Sequence, residues 1–380
     1  MIEHKLLWLV PGLILPNLAA TTSCSDISLE IDASSHANDI VLPNLDPTTP
    51  NFLNGIVNSV IGDVGRVWPL IPVTSTFNIS ATLCEPKVYN HANAIQLLSH
   101  GASFNKLYWS GLGLPEDQGK PYDWTHFATD KGYATLAIDR PGVGNSSHPD
   151  PLLEVQASLE AEVLHQIVLQ LRQGKIKDKK FSKVLFVGHS LGSLIGVRQT
   201  QLHPQDYDAV VLTGWSAYFL ENLPNIFKTV PLPASVVIPQ RFADLNPLYL
   251  TLSLQKLTQV AFFGPDGSFD PAIEQYNWDH RDVVATGELI SIFSGITSTT
   301  YAGPVHVIDG DVDQAFCNGK CTSEPDSPPG SAVSVFPKAK KYTYDIIPNT
   351  GHCLNIHYSA SKTFMSAHKF LHDNFEKNSN

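Results

Sequence analysis

Gly188-His189-Ser190-Leu191-Gly192 places a serine between two glycines, directly after the large apolar residues Val184 to Val187. Composition alone yields such a pentapeptide in roughly one chain of this length in eight, so its context carries the weight. An unbroken apolar run has no polar face and suits the middle of a parallel sheet covered on both sides. Glycines before and after the serine permit a sharp turn into a helix, leaving Ser190 in a strained position at the end of a strand. The helix predicted over Leu191 to Leu202 would set its amino terminus beside the hydroxyl, where it favours negative charge developing on a substrate oxygen.

A serine hydroxyl is a poor nucleophile until an imidazole takes its proton, and that imidazole needs a carboxylate to fix its tautomer and stabilise its cation. The strand-like Val305-His-Val-Ile-Asp-Gly-Asp-Val-Asp runs into an acidic turn and offers Asp309, Asp311 and Asp313. Tyr344-Asp-Ile-Ile-Pro-Asn-Thr-Gly-His ends on His352, selected from 15 histidines by its position after a strand and a glycine. His357 is the runner-up base but is expected to be packed inside the final helix. His189 is expected to point away from the site. Two backbone donors for an oxyanion are the Leu191 amide and, after Ile95 to Ser99, the Ala102 amide, where Gly101 lets the chain turn inward.

Strand-like runs at Phe77 to Leu83, Ile95 to Ser99, Ala134 to Ile138, Val184 to Val187, Ala209 to Thr213, Val305 to Ile308 and Tyr344 to Ile347 must position these groups. Between them lie helical periodicities, such as Leu152 to Leu171 ending at Gly174. Alternating strands and helices imply an α/β fold with a mainly parallel sheet wound by helices. The alternation breaks over 217–300, which holds helical patches at Ala272 to Trp278 and Val283 to Phe293. This stretch reads as a helical lid inserted before the strand that carries the catalytic acid. Residues 21–216 and 301–380 form the core, and 24 to about 70, rich in Pro, Asn, Asp and Ser, read as a loop-dominated leader packed over it.

The ordered set His100-Gly101-Ala102, Asp139-Arg-Pro-Gly-Val-Gly-Asn-Ser146, Gly188 to Gly192, Gly310-Asp-Val-Asp313 and Gly351-His352 resembles the α/β-hydrolase superfamily, most closely its secreted fungal members. The resemblance runs from about 77 to 377 apart from the lid. It implies that the acid closes a Gly-x-x-Asp turn, which selects Asp313 from the three aspartates. It further implies a serine hydrolase that cleaves an ester, lactone or thioester of a small organic substrate through an acyl-enzyme at Ser190, with no cofactor and no metal. Relatives that open epoxides or cleave halides carry aspartate at the nucleophile position, so Ser190 argues against both reactions. The competing expectation is a non-hydrolytic enzyme on the same fold, a lyase, cyclase or cofactor-free oxidative enzyme of fungal secondary metabolism. Tyr218, Phe219, Phe227, Phe262 and Phe263 in the lid favour an apolar or aromatic substrate.

Composition bounds the rest. With 380 residues, 43% hydrophobic residues and a mean hydropathy of -0.05, the chain can bury a large core. A formal net charge of -11 argues against a nucleic-acid partner. Residues 1–20 read as a signal peptide, with Lys5 ahead of an apolar stretch from Leu6 to Leu18 that is too short and too interrupted by proline to span a membrane comfortably. An oxidising compartment would let cysteines pair, with Cys317 to Cys321 favoured and Cys24 to Cys84 second. Asn78 and Asn145 head glycosylation sequons.

Overall fold

The computed structural model describes residues 22–42, 54–55, 68–91, 93–292, 297–322 and 327–375. The expected signal peptide and Phe293 lie outside them. The described strands are β1 (Ser23–Asn38), β2 (Leu70–Glu85), β3 (Ala94–Ser99), β4 (Ala134–Ile138), β5 (Lys183–His189), β6 (Ala209–Thr213), β7 (Pro231–Pro233), β8 (Tyr249–Leu252), β9 (Val284–Ala285), β10 (Pro304–Gly310) and β11 (Lys341–Ile347). Eight of them form one sheet in the order β1-β2-β4-β3-β5-β6-β10-β11. The β1/β2 and β2/β4 pairs are antiparallel, and every other neighbouring pair is parallel.

The apolar strands are buried on both faces. Val184 and Phe186 of β5 and Val210 and Leu212 of β6 join one hydrophobic cluster, while Leu185, Val187, Ala209 and Val211 join another. Side chains alternate across a strand, so a run with no polar position feeds two cores at once. Helices Ala157–Gln173 and Leu191–Leu202 and the terminal helix Ala360–Phe375 complete these layers. The first of them ends where predicted, on Gly174 in the left-handed region with φ 75°, although its start falls at Ala157 rather than Leu152, which lies in a turn.

The leader is not loop-dominated where it is described. Residues 23–38 form a strand as long as β2, paired with it throughout. Ile31 and Ala33 are buried, Leu29 nearly so, and Glu30, Asp32 and Ser34 between them are exposed. The period-two signal was present in the sequence, and a turn-like composition masked it. The insertion over 217–300 also holds more than helices: β7, β8 and β9 form a three-stranded antiparallel sheet, flanked by helices Phe219–Phe227, Pro271–His280 and Thr286–Ser291. The predicted helical patch from Val283 therefore begins as the short strand β9.

Candidate active site

Ser190, Asp313 and His352 follow β5, β10 and β11 respectively, strands that run parallel and end at one edge of the sheet. Ser190 has φ 53° and ψ -118°, a conformation that costs a non-glycine residue about 1–3 kcal/mol. The turn is held by the Ser190 amide donating to Thr213 O at 2.9 Å. Gly192 permits it sterically, because a Cβ there would lie 2.6 Å from His100 O. Leu191 is the first residue of the following helix, and its N–H has no acceptor within that helix.

Asp313 and His352 meet directly. Asp313 Oδ2 lies 2.7 Å from His352 Nδ1, and both side chains are buried. Oδ1 of Asp313 accepts from the Ala315 and Phe316 amides at 2.6 and 2.9 Å, which caps a short helical turn and fixes the carboxylate. Burial works to raise the Asp313 pKa, but the His352 charge and hydrogen bonds from His352, Asp309 and Phe316 outweigh it and hold the carboxyl below its usual range. The bond to Asp313 assigns the proton of neutral His352 to Nδ1, leaving Nε2 as the basic atom. Among the described residues Ser190 Oγ makes no direct hydrogen bond to His352; such bonds are often long until substrate closes the site.

The other acidic and histidine candidates lie elsewhere. Asp311 accepts from the Thr350 amide at 3.0 Å and braces the loop before His352. Asp309 is fully buried at the end of β10. His357 precedes the final helix instead of lying within it, and its ring nitrogens contact Cys353 O at 2.7 Å and Phe263 O at 2.6 Å. His189 does not point away: its ring stacks on Tyr108 and sits 4.9 Å from that of His352. Burial, followed by the neighbouring His352 and His100, pushes its pKa well down, so it stays neutral.

The Ala102 loop runs against the serine, with a Cβ at Gly101 falling 2.9 Å from Ser190 Cβ. His100 supports that loop, its Nδ1 2.8 Å from Gly101 O while its Nε2 accepts from the Arg140 amide at 3.2 Å. Arg140 was not singled out from the sequence. Its Nε donates to His100 O at 3.1 Å, and its Nη1 pairs with Glu160 at 2.8 Å and with Glu288 of the insertion. The charged trio is buried, and it ties the Ala102 loop to a core helix and to the insertion. Sequence shows an arginine in a turn but not that it is enclosed.

Ser190, Leu191 and Ala102 open onto a cavity with about 710 Å³ of empty space, part of it continuous with solvent. Its walls include Leu194 and Phe316 from the core and Ile226, Phe227, Leu252, Phe262, Val284 and Leu289 from the insertion. Of the aromatic residues flagged in the sequence, Phe227 and Phe262 line it. Phe263 is instead buried against Phe269 and His357, Tyr218 is half-buried away from the wall, and the Phe219 side chain lies outside what is described.

Among the described residues two clusters carry metal-ligand atom types. Glu162, His165 and His203 bring one atom each within 4.8 Å of one another, but the two rings stack 3.6 Å apart at 6°, so their in-plane lone pairs do not converge on one ion. Cys317 and Cys321 beside Asp309 are joined as a disulfide. Both expected cysteine pairings, Cys24 with Cys84 and Cys317 with Cys321, are present.

A parallel sheet that delivers a serine on a strained strand-to-helix turn, a carboxylate and an imidazole to one edge has the architecture of an α/β hydrolase. The chain belongs to the alpha/beta hydrolase family, which matches residues 96–361, more than half of its length. A thermophilic esterase from Thermogutta terrifontis, solved with malate bound, is 13% identical and superposes with a TM-score of 0.50 over 79% of this chain and 95% of its own. A candidate epoxide hydrolase from Pseudomonas aeruginosa is 16% identical, with a TM-score of 0.50 over 80% of this chain and 95% of its own. At such identities the likeness concerns the fold alone. No curated protein sequence matches the chain.

Proposed function

We propose that this hydrolase cleaves an ester, lactone or thioester of a small, largely apolar substrate through an acyl-enzyme at Ser190. The observation that carries the reading is the 2.7 Å bond between Asp313 and His352 at the edge of the sheet that also presents Ser190 to an apolar cavity. In this mechanism His352 Nε2 takes the Ser190 proton as Oγ attacks the substrate carbonyl, and Asp313 stabilises the imidazolium. The Leu191 and Ala102 amides receive the developing oxyanion. The imidazolium then protonates the leaving alcohol or thiol, and water, deprotonated by the same imidazole, releases the acid. The insertion over 217–300 acts as a lid that supplies most of the apolar wall and excludes water.

Secretion belongs to the same reading. Two disulfides suit an oxidising compartment, Asn78 and Asn145 are exposed as glycosylation would require, and residues 1–20 carry a signal-peptide pattern. Among the described residues no helix is long and apolar enough to cross a membrane.

The test is turnover of p-nitrophenyl esters and labelling by a fluorophosphonate. Replacing Ser190→Ala should abolish both while leaving the melting temperature within a few degrees of the parent. Retained turnover in that variant would overturn the reading, as would a product from the parent enzyme in which no acyl bond has been hydrolysed.

A further inference from the structure

We propose that Asp282 and Glu288, both in the insertion, are positioning residues for the oxyanion loop, so that the insertion completes the catalytic site as well as covering it. The inference rests on the reading of the Ala102 amide as an oxyanion donor. Ala102 stands in the stretch from His100 to Asn105, between β3 and the short helical turn Lys106–Trp109. A donor on such a loop must be aimed to within about 0.5 Å to receive developing charge, so something has to hold the loop.

The insertion grips this stretch on both sides of Ala102. Before it, Glu288 pairs with Arg140 Nη1, and Arg140 Nε donates to His100 O at 3.1 Å. After it, the Asp282 amide donates to Ser103 O at 2.9 Å, and Asp282 Oδ2 accepts from Asn105 Nδ2 at 3.1 Å. Ser103 has φ 61°, in the left-handed region that non-glycine residues rarely enter. The bond to its carbonyl therefore helps to hold a turn that the chain would not favour alone. Asn105 Oδ1 accepts from the Leu107 amide at 3.0 Å, which fixes the amide group that meets Asp282.

The gripping residues are themselves anchored. Both are buried. Asp282 Oδ1 accepts from the Val283 amide at 2.9 Å, its carbonyl accepts from Thr251 Oγ1 of β8 at 2.9 Å, and Arg241 Nη2 lies 3.5 Å from Oδ2. Two contacts dock the segment on the core: the Gly287 amide donates to Pro151 O at 2.8 Å, and the Ala157 amide donates to Ser291 Oγ at 2.8 Å. Gly287 also packs so tightly on Leu152 O that a Cβ has no room. Within this same segment Val284 and Leu289 line the cavity, whereas Asp282 and Glu288 do not. Wall and clamp are thus separate side chains of one short stretch. Loosening the clamp should cost transition-state stabilisation while substrate binding persists.

Kinetics of the full-length protein test this. Asp282→Ala and Glu288→Ala should each lower kcat for p-nitrophenyl acetate about 10- to 100-fold with KM within about twofold of the parent. Affinity for a trifluoromethyl ketone, which forms a tetrahedral adduct, should fall by a similar factor. Glu288→Gln keeps an oxygen for Arg140 and should recover most of the loss. Asn105→Asp keeps the cap on the Leu107 amide but sets a second carboxylate against Asp282. At that partly exposed position it should fold even where an alanine variant does not, and it should also lose kcat. Variants that melt earlier but keep the parent's kcat would overturn the proposal, as would variants that raise KM with kcat intact. A further readout needs no turnover. Hydrogen exchange of the amides over 100–105 should be faster in Asp282→Ala, Glu288→Ala and Asn105→Asp than in the parent, with 188–192 unchanged. Equal exchange over 100–105 overturns the proposal even if the enzyme hydrolyses no ester, whereas faster exchange in a protein without esterase activity upholds the clamp and places the failure with the ester reading.

Discussion

Asp313 and His352, separated by 39 residues of sequence, are joined by a 2.7 Å contact between Oδ2 and Nδ1, with both groups buried. The contact forms because β10 and β11 are parallel neighbours, with Gly310 opposite Ile347, so the turns that follow them leave the sheet side by side.

Replacing Asp313→Asn removes the charge that stabilises the imidazolium and lets the amide present a donor to Nδ1, favouring the wrong tautomer. We expect kcat on p-nitrophenyl esters to fall roughly 10³- to 10⁴-fold. The variant should still fold, because an amide oxygen can accept the Ala315 and Phe316 bonds; circular dichroism and thermal melting check that point.

Glu160 shares Arg140 with Glu288 inside the protein, and burial, offset in part by Arg140, raises its pKa from 4.5 to about 7. In the unfolded chain the group ionises near 4.5, so between 4.5 and about 7 the folded state binds more protons than the unfolded. Stability from this group is therefore fully present below 4.5 and declines as pH rises toward 7, by about 3 kcal/mol in all. Glu160→Gln mimics the protonated form. It should melt like the parent at pH 4.5 and at a higher temperature at pH 8, as scanning calorimetry across that range would show.

The two disulfides should separate stability from activity. Cys24–Cys84 closes a separation of 60 residues and Cys317–Cys321 one of 4. Loop-closure entropy makes the first worth about 4 kcal/mol and the second about 2 kcal/mol. Cys24→Ser with Cys84→Ser should lower the melting temperature and spare kcat. Cys317→Ser with Cys321→Ser should cost less stability but lower kcat, because it loosens the turn that carries Asp313.

Leu289 projects from the insertion into the cavity wall. Leu289→Trp should raise KM for long-chain p-nitrophenyl esters about tenfold while p-nitrophenyl acetate is little affected. Equal effects on both esters would show that the acyl group does not occupy this wall.

Local features carried much of this architecture in the sequence. Val184 to Val187 have no polar face, so β5 had to be central, and the glycines around Ser190 required a turn after it. Gly174 ended its helix because it alone could adopt the left-handed cap cheaply. The long strand β1 was missed although Ile27, Leu29, Ile31 and Ala33 alternate with polar residues, since the surrounding Pro, Asn and Ser suggested a loop. The insertion was legible as a break in pattern but not as a small sheet with helices, because β7 and β9 have only 3 and 2 residues and exist through pairing with β8.

Sequence by itself determined which residue types stand at strand ends: a serine after β5, three aspartates after or within β10, a histidine after β11. It could not distribute roles among Asp309, Asp311 and Asp313 without a family resemblance, because all three share one acidic turn. Tertiary structure separates them by their surroundings. Asp313 faces two amides and His352, Asp311 faces one loop amide, and Asp309 is enclosed within β10 with a long bond from the Gly310 amide. The same holds for Arg140, an ordinary turn residue in sequence whose burial between Glu160 and Glu288 arises only when helix, turn and insertion converge. Strand ends are set by local chain preferences, whereas the charge and proton on each carboxyl depend on neighbours that only the folded chain brings within bonding distance.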